Sequence, residues 1–153
     1  HQVAHLVDIR KIPRSRSNPQ FNQDTLPEAL APAEISYEHA ASLGGRRGKT
    51  RSLPRDMNGF WKNESFHNYA DYALSARFQA GFEHLLEEGR KRRCAIMCAE
   101  AVWWRCHRRI VADYLIAAEE TVFHIMGHGR AEPARLTPGA VIQPGATVTY
   151  PGA

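Results

Sequence analysis

From Cys94 to Arg109 the chain reads Cys-Ala-Ile-Met-Cys-Ala-Glu-Ala-Val-Trp-Trp-Arg-Cys-His-Arg-Arg. An apolar run there leads directly into thiols, a carboxylate, an imidazole and arginines. A thiol beside an imidazole at a helix start is stabilised as a thiolate, which is the nucleophilic and redox-active form of cysteine. Cys106 and His107 have that arrangement, and Glu100 is the candidate acid or base. Arg105 and Arg108 are placed to hold an anion, with Cys98 at the end of the apolar run. Packing competes with chemistry for each thiol: Cys106 stands at helical spacing from Ile110 and Tyr114, and Cys98 and Cys94 belong to an apolar strand. Cys98, Cys106 and His107 lack the paired Cys-x-x-Cys spacing of zinc sites, so neither a metal nor a cofactor is expected there.

Arg105, His107, Arg108 and Arg109 fall in the expected first turn of a helix with no acid among them. The positive end of the helix dipole disfavours cations, so the turn needs a negative partner. A bound anion would receive both the free N–H groups and the arginine forks. A salt bridge from Glu100 is the internal alternative. A second cluster, Asp8, Arg10, Arg14 and Arg16, follows an apolar segment near the N-terminus. Its own alternative reading is a structural ion pair between Asp8 and Arg10.

The elements that position these groups can be read from periodicity. Val3 to Ile9 suits a buried parallel strand, Glu34 to His39 a second and Cys94 to Cys98 a third. Asp24-Thr-Leu-Pro-Glu28 starts a short helix, and the apolar spacing from Phe66 to Leu86 predicts a pair of helices ending near Gly89. Ile110, Val111, Tyr114, Leu115 and Ala118 form the stripe of another helix. Thr121 to Ile125 is the next expected strand, which would complete a β-α-β unit. Val141-Ile142 and Thr147-Val-Thr149 flank Pro144-Gly145 as a C-terminal hairpin. The expected fold is a three-layer α/β/α domain: an open, mostly parallel sheet with helices on both faces. In such sheets ligands bind beyond the carboxyl ends of the strands, so the arginine clusters should converge on one edge. Tyr37, His39, Tyr69, Trp103 and Trp104 are expected at its border, and the 46–55 run as a mobile basic loop.

At 153 residues and 43% hydrophobic, the chain is expected to form one domain, 1–153. No apolar run reaches the roughly 20 residues of a membrane-spanning helix, and three unpatterned cysteines suit a reducing compartment, so the expected location is cytoplasmic. Of 20 basic residues 16 are Arg, the side chain whose planar fork matches phosphate and carboxylate. A compositional bias toward Arg across the whole chain is the bland explanation.

Several segments together resemble the DUF488 family: Leu6-Val-Asp-Ile-Arg10, Pro13-Arg-Ser-Arg16, Asn18-Pro-Gln-Phe21, Leu43-Gly-Gly45, Tyr69-Ala-Asp-Tyr72, Met97-Cys-Ala-Glu100 and Arg105-Cys-His-Arg108. The resemblance covers most of the chain and implies a fold and a pocket, but no reaction. It also implies a preceding strand with a Thr-Ile-Gly-His-Ser-like motif and a helix, which this sequence is expected to lack.

The leading expectation is an enzyme acting on a small phosphate-bearing, nucleotide-like ligand. Arg10, Arg14 and Arg108 would bind the anion, and Glu100, Cys106 and His107 would carry the chemistry. The alternative is a non-catalytic nucleic-acid-binding or adaptor module that uses the arginine clusters as an electrostatic footprint. A third reading gives Cys98 and Cys106 a thiol redox role.

Overall fold

A computed structural model describes residues 1–152 as a mixed α/β fold. Strands β1 (His5–Asp8), β2 (Ser36–His39) and β3 (Cys94–Met97) form a parallel sheet in the order β2-β1-β3. Asp8 lies opposite His39 on one side and Met97 on the other, so the carboxyl ends of all three strands share one edge. Four α-helices accompany the sheet: α1 (Leu26–Leu30), α2 (Glu64–Tyr72), α3 (Ala76–Lys91) and α4 (Arg108–Ala117).

The helix starts follow their capping chemistry. Asn63 accepts the Ser65 and Phe66 N–H groups at α2, and Ser75 accepts the Phe78 N–H at α3. Their apolar faces meet in a single cluster. Val7 of β1 packs there with Tyr69 of α2, Phe78, Phe82 and Leu85 of α3, and Ile110, Val111 and Tyr114 of α4. Aromatic edges order it, with Phe78 and Tyr114 in a T-shaped contact at 5.0 Å.

The strand after α4 departs from expectation. Residues Phe123–Gly127 (β4) pair antiparallel with Arg130–Pro133 (β5) and form a separate hairpin, so no β-α-β unit joins β3 to β4. The burial of β4 explains the difference: Phe123 and Ile125 are half exposed, whereas a parallel strand covered on both faces would bury them. The antiparallel hairpin at the C-terminus forms as expected, Val141–Ile142 (β6) with Val148–Thr149 (β7). Val148 and Tyr150 insert into the main core, and Tyr150 donates to the buried Asp113 carboxylate at 2.7 Å. No helix among the described residues is long and apolar enough to cross a membrane.

A candidate thiolate site at the carboxyl edge of the sheet

β1 and β3 both end at this edge, and the loops leaving them bring together residues far apart in sequence. The helix start is shifted relative to expectation. Trp103–Arg105 form a 3-10 turn, Cys106 is extended, and α4 begins at Arg108, so Arg105 and Cys106 precede the helix. Arg108 and Arg109 alone lead its first turn, again without an acid.

The group set against this turn is the Cys106 sulfur. Arg108 directs both its backbone N–H (3.3 Å) and its Nε–H (3.4 Å) at Cys106 Sγ. His107 Nδ1 lies 3.5 Å from the same atom, and Cys98 Sγ 2.7 Å. The two Arg108 N–H groups are fixed donors, so this sulfur is an acceptor, which favours its thiolate form. The hydrogen bond from Cys98 is the largest cause that holds the Cys106 thiol well below its ordinary range; burial opposes it and His107 reinforces it. Cys98 is pushed the opposite way, first by that same hydrogen bond and then by burial. The shared hydrogen bond favours ionisation at Cys106 over Cys98.

His107 is oriented from behind. Its Nε2 lies 2.8 Å from the Ile9 carbonyl, which can only accept, so Nε2 carries the proton and Nδ1 faces the sulfur. Gly44 and Gly45 allow this approach. A Cβ at Gly45 would stand 2.9 Å from His107 Nδ1, and one at Gly44 would stand 2.7 Å from the Lys11 backbone. In the sequence Leu43-Gly-Gly45 is only a motif; the close packing of the loop against His107 is its physical basis. Gly45→Ala is therefore expected to push His107 off the sulfur and raise the Cys106 titration midpoint, with the far-ultraviolet circular dichroism unchanged. An unmoved midpoint would show that His107 contributes nothing to the thiolate.

The remaining residues divide into braces and exposed groups. Asp8 is fully buried and takes Arg10 in a bidentate pair, Nε to Oδ1 at 2.8 Å and Nη2 to Oδ2 at 2.7 Å. Tyr37 donates to the same carboxylate, Arg10 Nη2 also reaches the Phe21 carbonyl, and His39 Nε2 lies 2.6 Å from the Arg10 carbonyl. These contacts fix the loop after β1. Tyr69 is likewise structural, buried and donating to the Leu43 carbonyl. Arg14, Arg16, Arg105 and Glu100 are exposed. The Glu100 carboxylate accepts only the Ala101 N–H, while Arg108 Nη2 reaches the Glu100 carbonyl at 2.6 Å. Among the described residues no ion pair joins Glu100 to Arg105 or Arg108, so the internal alternative for the helix start is not the one formed.

Beside the thiolate, a cleft of about 420 Å³ opens between α3, β3, α4 and β4, with Arg93, Trp103, Arg108 and His124 in its wall. Trp103 stacks flat on His124 at 4.0 Å, and Trp104 is exposed. Arg108 is the residue common to the cleft and the sulfur.

No curated protein and no solved structure matches the chain. The family model described as "Domain of unknown function DUF488" matches residues 1–115, a span that includes β1, β2, β3 and the thiolate site but ends within α4. On that match the chain belongs to the DUF488 family.

Proposed function

We propose that this DUF488 protein is a thiol-dependent enzyme for a small phosphate-bearing, nucleotide-like substrate, with Cys106 as its nucleophile. The observation that carries the reading is the convergence on Cys106 Sγ of two Arg108 N–H donors, the His107 imidazole and the Cys98 thiol. A packing cysteine needs none of them, and Cys106 lies outside the contiguous apolar core. In this reading His107 shares the proton of the Cys106 thiol, leaving a sulfur that attacks an electrophilic centre. Arg108 holds the anionic group at the mouth of the cleft, and the exposed Arg14, Arg16 and Arg105 attract it. Asp8 and Arg10 shape the loop that carries Arg14 and Arg16. Glu100, exposed at the end of the β3 loop, is the acid or base for the leaving group.

Alkylation of each cysteine, followed by mass spectrometry across pH with and without inorganic phosphate, tests the assignment. Cys106 is expected to react below the roughly 8.5 midpoint of a free thiol, and phosphate to protect it. Reaction only after unfolding would return Cys106 to packing. Protection in the absence of any shift would leave an anion site without a nucleophile.

A dithiol role is a second reading, favoured by the 2.7 Å separation of the Cys98 and Cys106 sulfurs. Both are free cysteines. A disulfide oxidant would accept two electrons from the pair: the Cys106 thiolate attacks it, and Cys98 resolves the mixed disulfide and releases its own proton. The nucleic-acid reading has less to draw on. Within the 46–55 loop, Arg47 lies over the Tyr72 ring and binds the Ala41 and Gly44 carbonyls, and Arg55 pairs with Glu64. Arg46, Lys49 and Arg51 remain exposed there.

A further inference from the structure

On the α3 side of the sheet, away from the thiolate edge, His5 of β1, Glu38 of β2 and Glu88 of α3 point at one another. One ligand atom from each lies within 4.8 Å of the others. His84, one helical turn before Glu88, places Nε2 2.9 Å from Glu38 Oε2 and 4.0 Å from Glu88 Oε1. The group is not a solvated patch of acids. His5 is 4% exposed, Glu88 16% and Glu38 28%, and they come from separate elements.

The hydrogen bonds behind His5 set what its Nε2 can offer. The Ser36 hydroxyl lies 3.3 Å from the Ala4 carbonyl and accepts from Arg92 at 3.0 Å. Its single proton can serve either Ala4, whose carbonyl already accepts the Ser36 N–H, or the shorter 2.7 Å contact with His5 Nδ1, so Nδ1 donates in one tautomer and accepts in the other. With Nδ1 as donor, Nε2 turns a bare lone pair toward Glu38 Oε1 at 2.8 Å; with Nδ1 as acceptor, Nε2–H donates to that oxygen. In the first tautomer a cation bridging Nε2 and the carboxylate would replace the unfavourable pair of acceptors. A backing hydrogen bond on Nδ1 that frees Nε2 is also the arrangement by which metal-binding histidines are oriented.

We propose that His5, Glu38 and Glu88 form a binding site for a divalent late first-row metal ion such as Zn2+, with His84 available as a further ligand. Imidazole and carboxylate suit that ion class. A tetrahedral Zn2+ with bonds of about 2.0–2.1 Å sets its ligand atoms about 3.3 Å apart, so the three atoms, all within 4.8 Å, would bind it once the 2.8 Å His5–Glu38 pair opens by about half an ångström. Arg92 Nη2 engages Glu88 Oε2 at 3.4 Å, leaving Oε1 for the ion. Cys94 is paired in register with His5 but lies outside the group.

Titration of the whole protein with Zn2+ by calorimetry, and with Co2+ by absorption spectroscopy, decides this. One equivalent is expected to bind, and the cobalt form to show ligand-field bands without an intense thiolate-to-metal band. Glu38→Gln and Glu88→Gln should each weaken binding about tenfold or more, and the Cys98→Ser/Cys106→Ser double variant should bind as the parent does. The proposal is overturned by absence of binding, by an intense thiolate band, by loss of binding in the cysteine variant, or by unchanged affinity in both glutamine variants. Should Glu38→Gln fail to fold, Glu88→Gln, on the helix surface, decides alone.

Discussion

Replacing Cys106 with serine is expected to remove a thiolate that ionises several pH units below an ordinary cysteine, read directly as the ultraviolet absorbance of thiolate against pH. Cys98→Ala should move the same midpoint up, because the hydrogen bond from Cys98 is the largest cause of the depression. Cys98→Ser should move it less, since a hydroxyl still donates. The coupling also predicts how stability varies with pH. Cys106, depressed in the fold, binds fewer protons folded than unfolded between its own midpoint and about 8.5, so its contribution grows as pH rises through that window and is lost as pH falls. Cys98, raised in the fold, contributes in the opposite sense: its stabilisation is present below about 8.5 and lost as pH rises above it. Together the thiols favour the fold most near the free-thiol midpoint. Subtracting the denaturation profile of the Cys98→Ala/Cys106→Ala variant from that of the parent isolates this term, and a flat difference would refute the thiolate assignment.

The second large effect is expected at Asp8. Removing its carboxylate with Asp8→Ala leaves the Arg10 guanidinium, 6% exposed, beside a cavity with only the Phe21 carbonyl as partner. Breaking a buried pair in this way costs about 3–5 kcal/mol, which for a chain of this size lowers the melting temperature by roughly 10 °C. The strain falls on the loop from Arg10 to Phe21, so Arg14 and Arg16 should lose their place as well. A variant with unaltered melting that binds phosphate less tightly would show instead that Asp8 and Arg10 act in ligand binding and do not brace the loop.

The local elements were legible because each depends on neighbours in sequence. The stripes along α3 and α4 specify helices through contacts within a turn or two, although the caps of α2 and α3, Asn63 and Ser75, show only in the structure. The apolar run before Cys98 specifies a strand whatever it pairs with. What such patterns cannot convey is pairing. Thr121 to Ile125 has the composition of a strand, but only the exposure of Phe123 and Ile125 and the proximity of Arg130–Pro133 make it half of an antiparallel hairpin.

The same division runs through the candidate site. Residue types alone marked Cys98, Cys106, His107 and Arg108 as reactive and indicated that the start of α4 lacked a negative partner. Which group supplies that charge depended on where the chain turns. The Glu100 carboxylate faces its own neighbour while the Cys106 sulfur folds back onto the helix start, and no spacing rule distinguishes these outcomes. Sequence left Arg10 between anion binding and an ion pair with Asp8; the fold pairs it with Asp8 and leaves Arg14 in solvent. His5, Glu38 and Glu88 carry no motif at all, since they lie on separate elements. Short-range chemistry, meaning helix, strand and reactive residue type, was determined by sequence alone; register, burial and the partner of each charge were decided by tertiary structure, because hydrogen-bonding and electrostatic partners are chosen by distance in space.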